Sequence, residues 1–168
     1  PRWFPHPVRG IGWLAARAES FWRATGLPLR LAGICCWFTV VGLTVSLVAV
    51  TLPWLAIFWI WAFVAIRDLD MEATAVLREL ERGDLAAARS KLSWIVGRDT
   101  AQLDEQEVLR GALETLAENL SDAIVAPLFY LAIGGPAAMA AYKAINTLDS
   151  MFGYRNERYR EFGWCAAR

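Results

Sequence analysis

Four carboxylates, Glu107, Glu114, Glu118 and Asp122, are spaced so that a helix over residues 104–125 carries them on one stripe, with Leu109, Leu113, Leu116, Leu120 and Ile124 opposite. Oxygen ligands on successive turns suit Mg²⁺ carried by nucleotide phosphates. The simpler account is an amphipathic helix with a solvated acidic face. Against it, no lysine or arginine stands four positions beyond any of these acids, so the stripe reads as a run of like charges. A second polar group, Arg98, Asp99 and Thr100, lies between helices. Asp99 and Thr100 suit capping or turning, whereas Arg98 suits a phosphate. In a third, Tyr142, Asn146, Asp149 and Ser150 share a helix face with Lys143 beside them. Past Gly153, Arg155 and Arg158 suit either a grip on phosphate or carboxylate or a plain solvated loop.

The elements that must hold these groups are all helical, without a strand pattern or an internal repeat. Residues 1–30 mix Arg2, Arg9, Arg17, Arg23 and Arg30 with five aromatic rings against one acid, Glu19, a composition suited to a membrane surface. Residues 31–66 contain no charged side chain. As one helix they would measure about 54 Å, against a hydrocarbon core of about 30 Å. Pro53, past the middle, removes a backbone donor and disfavours helix before it. The expectation is a transmembrane hairpin with arms 31–52 and 54–66, the second continuing as helix through Arg67 into water. A tilted, kinked single span is the alternative. A hairpin leaves Arg30 and Arg67 on one face, which the positive-inside rule makes cytoplasmic.

Residues 67–125 read as amphipathic helices at that face. One, over 68–82, stops at Gly83. The next starts on Asp84 and runs to about Val96, ended by Gly97. The last runs from a capping box of Asp104 and Glu107 to about Val125, ahead of Pro127. In 126–168 an apolar stretch is broken at Gly134-Gly135-Pro136, as a re-entrant pair of half-helices or as a helical hairpin in water, and a polar motif follows. The expected whole is an all-α integral membrane helical bundle forming a single domain over 1–168.

Composition narrows the function. With 57% hydrophobic residues and nine tryptophans, the 168-residue chain is too apolar for an ordinary soluble domain. A net charge of zero gives no electrostatic case for nucleic acid. Cys35, Cys36 and Cys165 form neither a disulfide framework nor a zinc pattern, and a single histidine, His6, excludes most histidine metal clusters. No phosphate-binding loop, nucleophile elbow or zinc-protease motif occurs. A start at Pro1 without a signal pattern reads as part of a longer chain.

Four blocks carry a resemblance: His6-Pro7-Val8-Arg9; Gly97-Arg98-Asp99-Thr100 with Leu103-Asp104-Glu105; Glu114 to Asn119 with Ser121-Asp122 and Ala126-Pro127-Leu128; and Gly134-Gly135-Pro136 through Asn146-Thr147-Leu148-Asp149-Ser150-Met151 to Tyr159. In order and spacing they resemble adenosylcobinamide-phosphate synthase, the CobD/CbiB family of cobalamin biosynthesis. Leu120 and Ala123 depart from the family pattern, where a small polar residue and a glycine are expected. Family members also carry a hydrophobic segment before the first block and further spans after the last, so the chain is expected to be truncated.

The resemblance implies an ATP- and Mg²⁺-dependent amide ligase of the cell (inner) membrane, multi-pass, with its active face cytoplasmic. It would join the free propionate of adenosylcobyric acid to an aminopropanol phosphate or a related phosphorylated amino alcohol, with ATP converting the carboxylate to an acyl phosphate. Such chemistry needs metal against phosphate charge, cations on the transferred phosphoryl group and a base for the incoming ammonium. Glu114, Glu118 and Asp122 are the metal and base candidates. Arg9, Arg98, Lys143, Arg155 and Arg158 are phosphate and carboxylate candidates. Asn119, Asn146 and Asp149 would orient substrate, and His6 and Asp99 join the substrate-binding set. Homo-oligomerisation stays open. A non-catalytic membrane sensor resembling the AmpE-like branch, and a corrinoid or anion transporter with a broken helix near Gly134, are the other classes.

Overall fold

The computed structural model describes residues 7–64, 66–96 and 99–168, with backbone alone over 66–73. Every regular element among them is helical: α1 (Pro7–Ala24), α2 (Leu29–Phe63), α3 (Ile66–Glu81), α4 (Leu85–Ser93), α5 (Glu105–Leu120), a π turn (Ser121–Val125), α6 (Ala126–Phe152) and a 3₁₀ turn (Phe162–Trp164). The chain divides into two compact units, residues 1–64 with 127–168, and residues 65–126.

In the first unit α1 packs along α2, and the Trp22 indole donates to the Thr39 hydroxyl at 3.1 Å across them. Ile11, Ala15 and Ala18 of α1, Ala32, Cys36 and Val40 of α2, and Met139, Ala144 and Leu148 of α6 form one buried core. Glycine sets the closest approach. A Cβ on Gly33 of α2 would strike the backbone carbonyl of Phe162 in the 3₁₀ turn. Gly33→Ala is therefore expected to cost about 1–3 kcal/mol, as overpacking does. Gly42→Ala, on the same helix with nothing near its Cβ, should gain up to about 1 kcal/mol. Thermal midpoints of the two variants moving in the same direction would contradict this packing.

Two helical stretches are long and apolar enough to cross a membrane by length and composition, Leu29–Phe63 and Glu105–Phe152. In each, only 17% of the most apolar window is buried, whereas the core helix of a soluble protein is mostly buried. Trp54 and Ile57 are among the most exposed apolar side chains, at 80% and 85%.

Both stretches bend. Helical geometry persists through Pro53 and fails two residues later at Leu55 (φ −122°, ψ 18°). The Trp59 indole donates to the Thr51 hydroxyl at 2.8 Å. Eight residues of straight helix would separate these positions by about 12 Å of rise, beyond the reach of the two side chains, so the axis turns at Leu55. Burial continues on both sides of the turn, at Val48 before it and at Trp59 and Phe63 after it. The expected continuation of this arm through Arg67 is not found: Val64 is extended (φ −98°, ψ 103°) and α3 starts anew at Ile66. A β-branched residue accepts extended backbone readily. α6 breaks at Gly135, whose φ of 68° and ψ of −167° favour glycine. Tyr130 and Tyr142 stack with ring centroids 5.0 Å apart. Twelve residues of straight helix would hold them about 18 Å apart, so the two halves of α6 fold toward one another.

In the second unit α3, α4 and α5 pack together around Val76, Ala88, Leu92, Val108 and Ala112. The local stops act as expected. Gly83 takes φ 73°, and Asp84 accepts from the Ala87 amide at 2.9 Å. The capping box is complete, with Asp104 accepting from the Glu107 amide at 2.8 Å and Glu107 from the Asp104 amide at 2.9 Å. Two boundaries differ. α4 ends at Ser93 rather than near Val96, because the Trp94 and Ile95 amides tighten onto the carbonyls of Lys91 and Leu92. Pro127 does not end the third helix, which passes through the π turn into α6. The Ala126 amide bonds back five residues to Ser121, and this wider turn makes room for a proline that lacks a donor and would crowd the carbonyl four residues earlier.

Candidate functional site

The proposed residues fall in both units. Glu114 and Glu118 are exposed on α5, Asn119 is half-buried, and Asp122 is half-buried inside the π turn. The expected run of like charges is corrected by Arg110, whose Nε lies 2.9 Å from Glu114 Oε1. This cation sits four residues before the acid rather than after it, a favourable spacing in either order. The leucine row is not the packed face. Leu109, Leu113 and Leu120 are exposed, while Val108, Gly111 and Ala112 are buried, because small side chains let helices approach closely. Among the described residues no group of three or more His, Cys, Asp or Glu is gathered for a metal. A Mg²⁺ ion here would take one or two carboxylates from the chain and its other oxygens from substrate and water, which is the usual habit of this ion.

Asp99 is exposed and accepts from the Ala101 amide at 2.9 Å, a turn-building role. Thr100 is buried and donates to the Arg89 carbonyl at 3.0 Å. Arg98 and His6 lie outside the described residues.

In the first unit Arg9 is exposed on α1. Lys143 is buried in α6 at 7% exposure, a costly place for a cation unless it is partnered. Asn146 follows one turn on, half-buried, with Asp149 exposed beyond it. The Ser150 hydroxyl donates to the Asn146 carbonyl at 2.9 Å, and the Gly153 amide to the Asp149 carbonyl at 2.7 Å, closing the helix. A Cβ on Gly153 would strike Asp149, so the chain can leave α6 this way only through glycine. Arg155 is exposed on the turn that follows.

Arg158, on the same turn, points to a partner that periodicity does not reveal. Its Nη2 lies 3.2 Å from Oε1 of Glu19, whose side chain is only 9% exposed. Arg23 Nε meets the same oxygen at 2.8 Å, and Arg23 Nη2 donates to the Arg158 carbonyl at 2.9 Å. The Arg23 guanidinium also lies 4.3 Å over the Phe162 ring. Arg30 reaches Glu161 at 2.5 Å. α1 and the start of α2 thus hold the turn from its inner side. Glu19 was legible only as the single acid among the arginines of 1–30. Cys35, Cys36 and Cys165 are free thiols, and burial raises Cys165 above its ordinary value, leaving less thiolate for nucleophilic work.

The full length of the chain, residues 1–168, matches the family described as "CobD/Cbib protein". The "Cobalamin biosynthesis protein CobD" of Rhodobacter capsulatus is 48% identical, covering 97% of this chain and 55% of its own length. The proteins of the same name from Pelobacter propionicus and Klebsiella pneumoniae are 45% and 46% identical, covering 100% of this chain and 55% and 57% of themselves. The chain thus spans a little over half the length of these relatives. No solved structure matches it. Identity at this level along the whole chain means that the protein belongs to the CobD/CbiB family of cobalamin-biosynthesis proteins.

Proposed function

We propose that this chain is part of an amide ligase of the inner membrane that joins adenosylcobyric acid to an aminopropanol phosphate, with ATP and Mg²⁺, and keeps its polar segments toward the cytoplasm. The observation that carries the reading is the family match over residues 1–168. Lys143, buried in α6, lies in the polar motif that this match covers.

Glu118 and Asp122 fit Mg²⁺ as hard oxygen donors on successive turns, one exposed and one half-buried. When bound, the ion would neutralise phosphate charge. The chain's own groups would do the rest. Arg9 and Arg155 would present exposed guanidinium donors to phosphate or propionate, and Lys143 a buried cation. A carboxylate of the α5 stripe would take the proton from the incoming ammonium so that the amine lone pair can attack. Asn119, Asn146 and Asp149 would orient the two substrates by hydrogen bonds. In the membrane, the bend at Leu55 would return the second arm of α2 toward the side of Arg30, completing the hairpin. Full-length protein given all four components should yield the amide and consume one ATP per bond, and chelating the metal should stop both. ATP hydrolysis without amide would overturn the reading. The break at Gly135 favours one other reading, a corrinoid or anion transporter built on half-helices; uptake into sealed vesicles without amide formation would establish it instead.

A further inference from the structure

Between α4 and α5 the chain is tied back to one residue. Arg89 of α4 is half-buried, and its Nε donates to the Leu103 carbonyl at 2.6 Å. Its own carbonyl accepts from the hydroxyl of buried Thr100 at 3.0 Å. The Leu103 amide donates back to the Thr100 carbonyl at 3.3 Å, and the Ala101 amide to Asp99 Oδ1 at 2.9 Å. Both ends of the turn 100–103 are therefore held to α4 through Arg89. The acids around the turn have other positions: Asp84 accepts from the Ala87 amide, Asp104 and Glu107 from each other's amides, and Glu105 is exposed. A guanidinium makes a stronger bond to a carbonyl than a neutral donor does.

What the turn controls is α5. Its cap, Asp104, follows Leu103 directly, and its packed face is Val108, Gly111 and Ala112. Such small side chains allow close approach but form shallow ridges, which do little to fix rotation about the helix axis. A helix turns as a rod, so a tie at its entry sets the direction of every side chain along it, Glu118 included. We infer that Arg89 is a positioning residue: it pins the entry of α5 and so aims the carboxylates of that helix. The functional half of this inference rests on the ligase reading, in which those carboxylates hold metal or take a proton.

The test compares full-length Arg89→Met, which keeps the stem and removes the donor, with Arg89→Lys, whose ammonium can still donate to the carbonyl. In Arg89→Met, hydrogen exchange at the Ala101 and Leu103 backbone amides should speed up about tenfold, the scale of one lost hydrogen bond to a charged group, while the Ala112 amide keeps its rate. Product formation should lose about ten- to a hundredfold in kcat, the cost of slightly misplacing a reacting group, with KM for each substrate within about twofold of wild type. Arg89→Lys should recover most of both losses. Thr100→Val, with Thr100→Ser as its control, cuts the other tie and serves in the same assays should Arg89→Met not fold. Unchanged exchange at Ala101 and Leu103, or a loosened turn with wild-type kcat, would overturn the inference. So would a loss of kcat that merely follows the thermal midpoint across the four variants. Wild-type protein that forms no product removes the ligase reading instead, and exchange alone then decides whether Arg89 holds the turn.

Discussion

Replacing Glu118 by glutamine is expected to lower amide formation at least about a hundredfold, the usual scale for losing a metal-orienting carboxylate or a general base. The substitution keeps the shape and hydrogen-bonding reach of the side chain and removes only its charge. Glu118 is chosen because Glu114, one turn before it, already faces Arg110 at 2.9 Å, and because Asp122 lies within the π turn, where any substitution also tests the helix. Glu118 itself is exposed, so its removal leaves the packing of α3, α4 and α5 intact. A solvated acidic face makes the opposite forecast. Neutralising one acid of the stripe would then leave turnover untouched and raise stability by a few tenths of a kcal/mol, the size of one i,i+4 charge pair. Amide product and thermal midpoint, measured together on the full-length variant, tell the two apart, and wild-type turnover would take Glu118 out of the machinery.

Much of the fold was legible because its signals are local. The uncharged run 31–66, the glycine at 83, the cap at Asp84 and the capping box at Asp104 each act within a turn or two of chain. What escaped was set by backbone accommodation rather than by residue type. The proline rule places a stop before Pro127, yet one wide turn admits the ring. The same rule marks Pro53, yet the backbone keeps its helical angles there and turns at Leu55. Periodicity found the acid stripe of α5 and placed the leucines opposite it, but packing chose a third face built from Val108, Gly111 and Ala112.

For the candidate residues, sequence gives positions along a helix but neither burial nor long-range partners. Spacing places Tyr142, Asn146, Asp149 and Ser150 on one face of α6 with Lys143 beside them, and the structure adds that Lys143 is buried. Arg158 looks, in sequence, like Arg155: a cation in a polar motif. Only the fold separates them, because Glu19 is 139 positions away, and no local pattern reports a contact across that distance.

That contact is the object of the remaining expectation. Glu19→Ala should destabilise the full-length protein by about 2–3 kcal/mol, at or below the low end of the cost of breaking a buried ion pair. The discount follows from exposure: Glu19 is 9% exposed, but Arg23 and Arg158 are 26% and 66% exposed and recover hydration when released. Arg158→Ala alone should cost under about 1 kcal/mol, because Arg23 still satisfies the carboxylate at 2.8 Å. Glu19→Gln should fall between them, since an amide oxygen still accepts from both guanidiniums but no longer offsets their charge. Beyond stability, the alanine variant frees the turn from its inner side, so limited trypsin digestion should cut faster after Arg155, Arg158 and Arg160. A double-mutant cycle on Glu19 and Arg158 should show a coupling of about 0.5 kcal/mol or more. Additive midpoints and an unchanged digestion pattern would mean that the turn is held by Gly33, Phe162 and the core beneath it, and that the ion pairs merely lie against a surface already fixed.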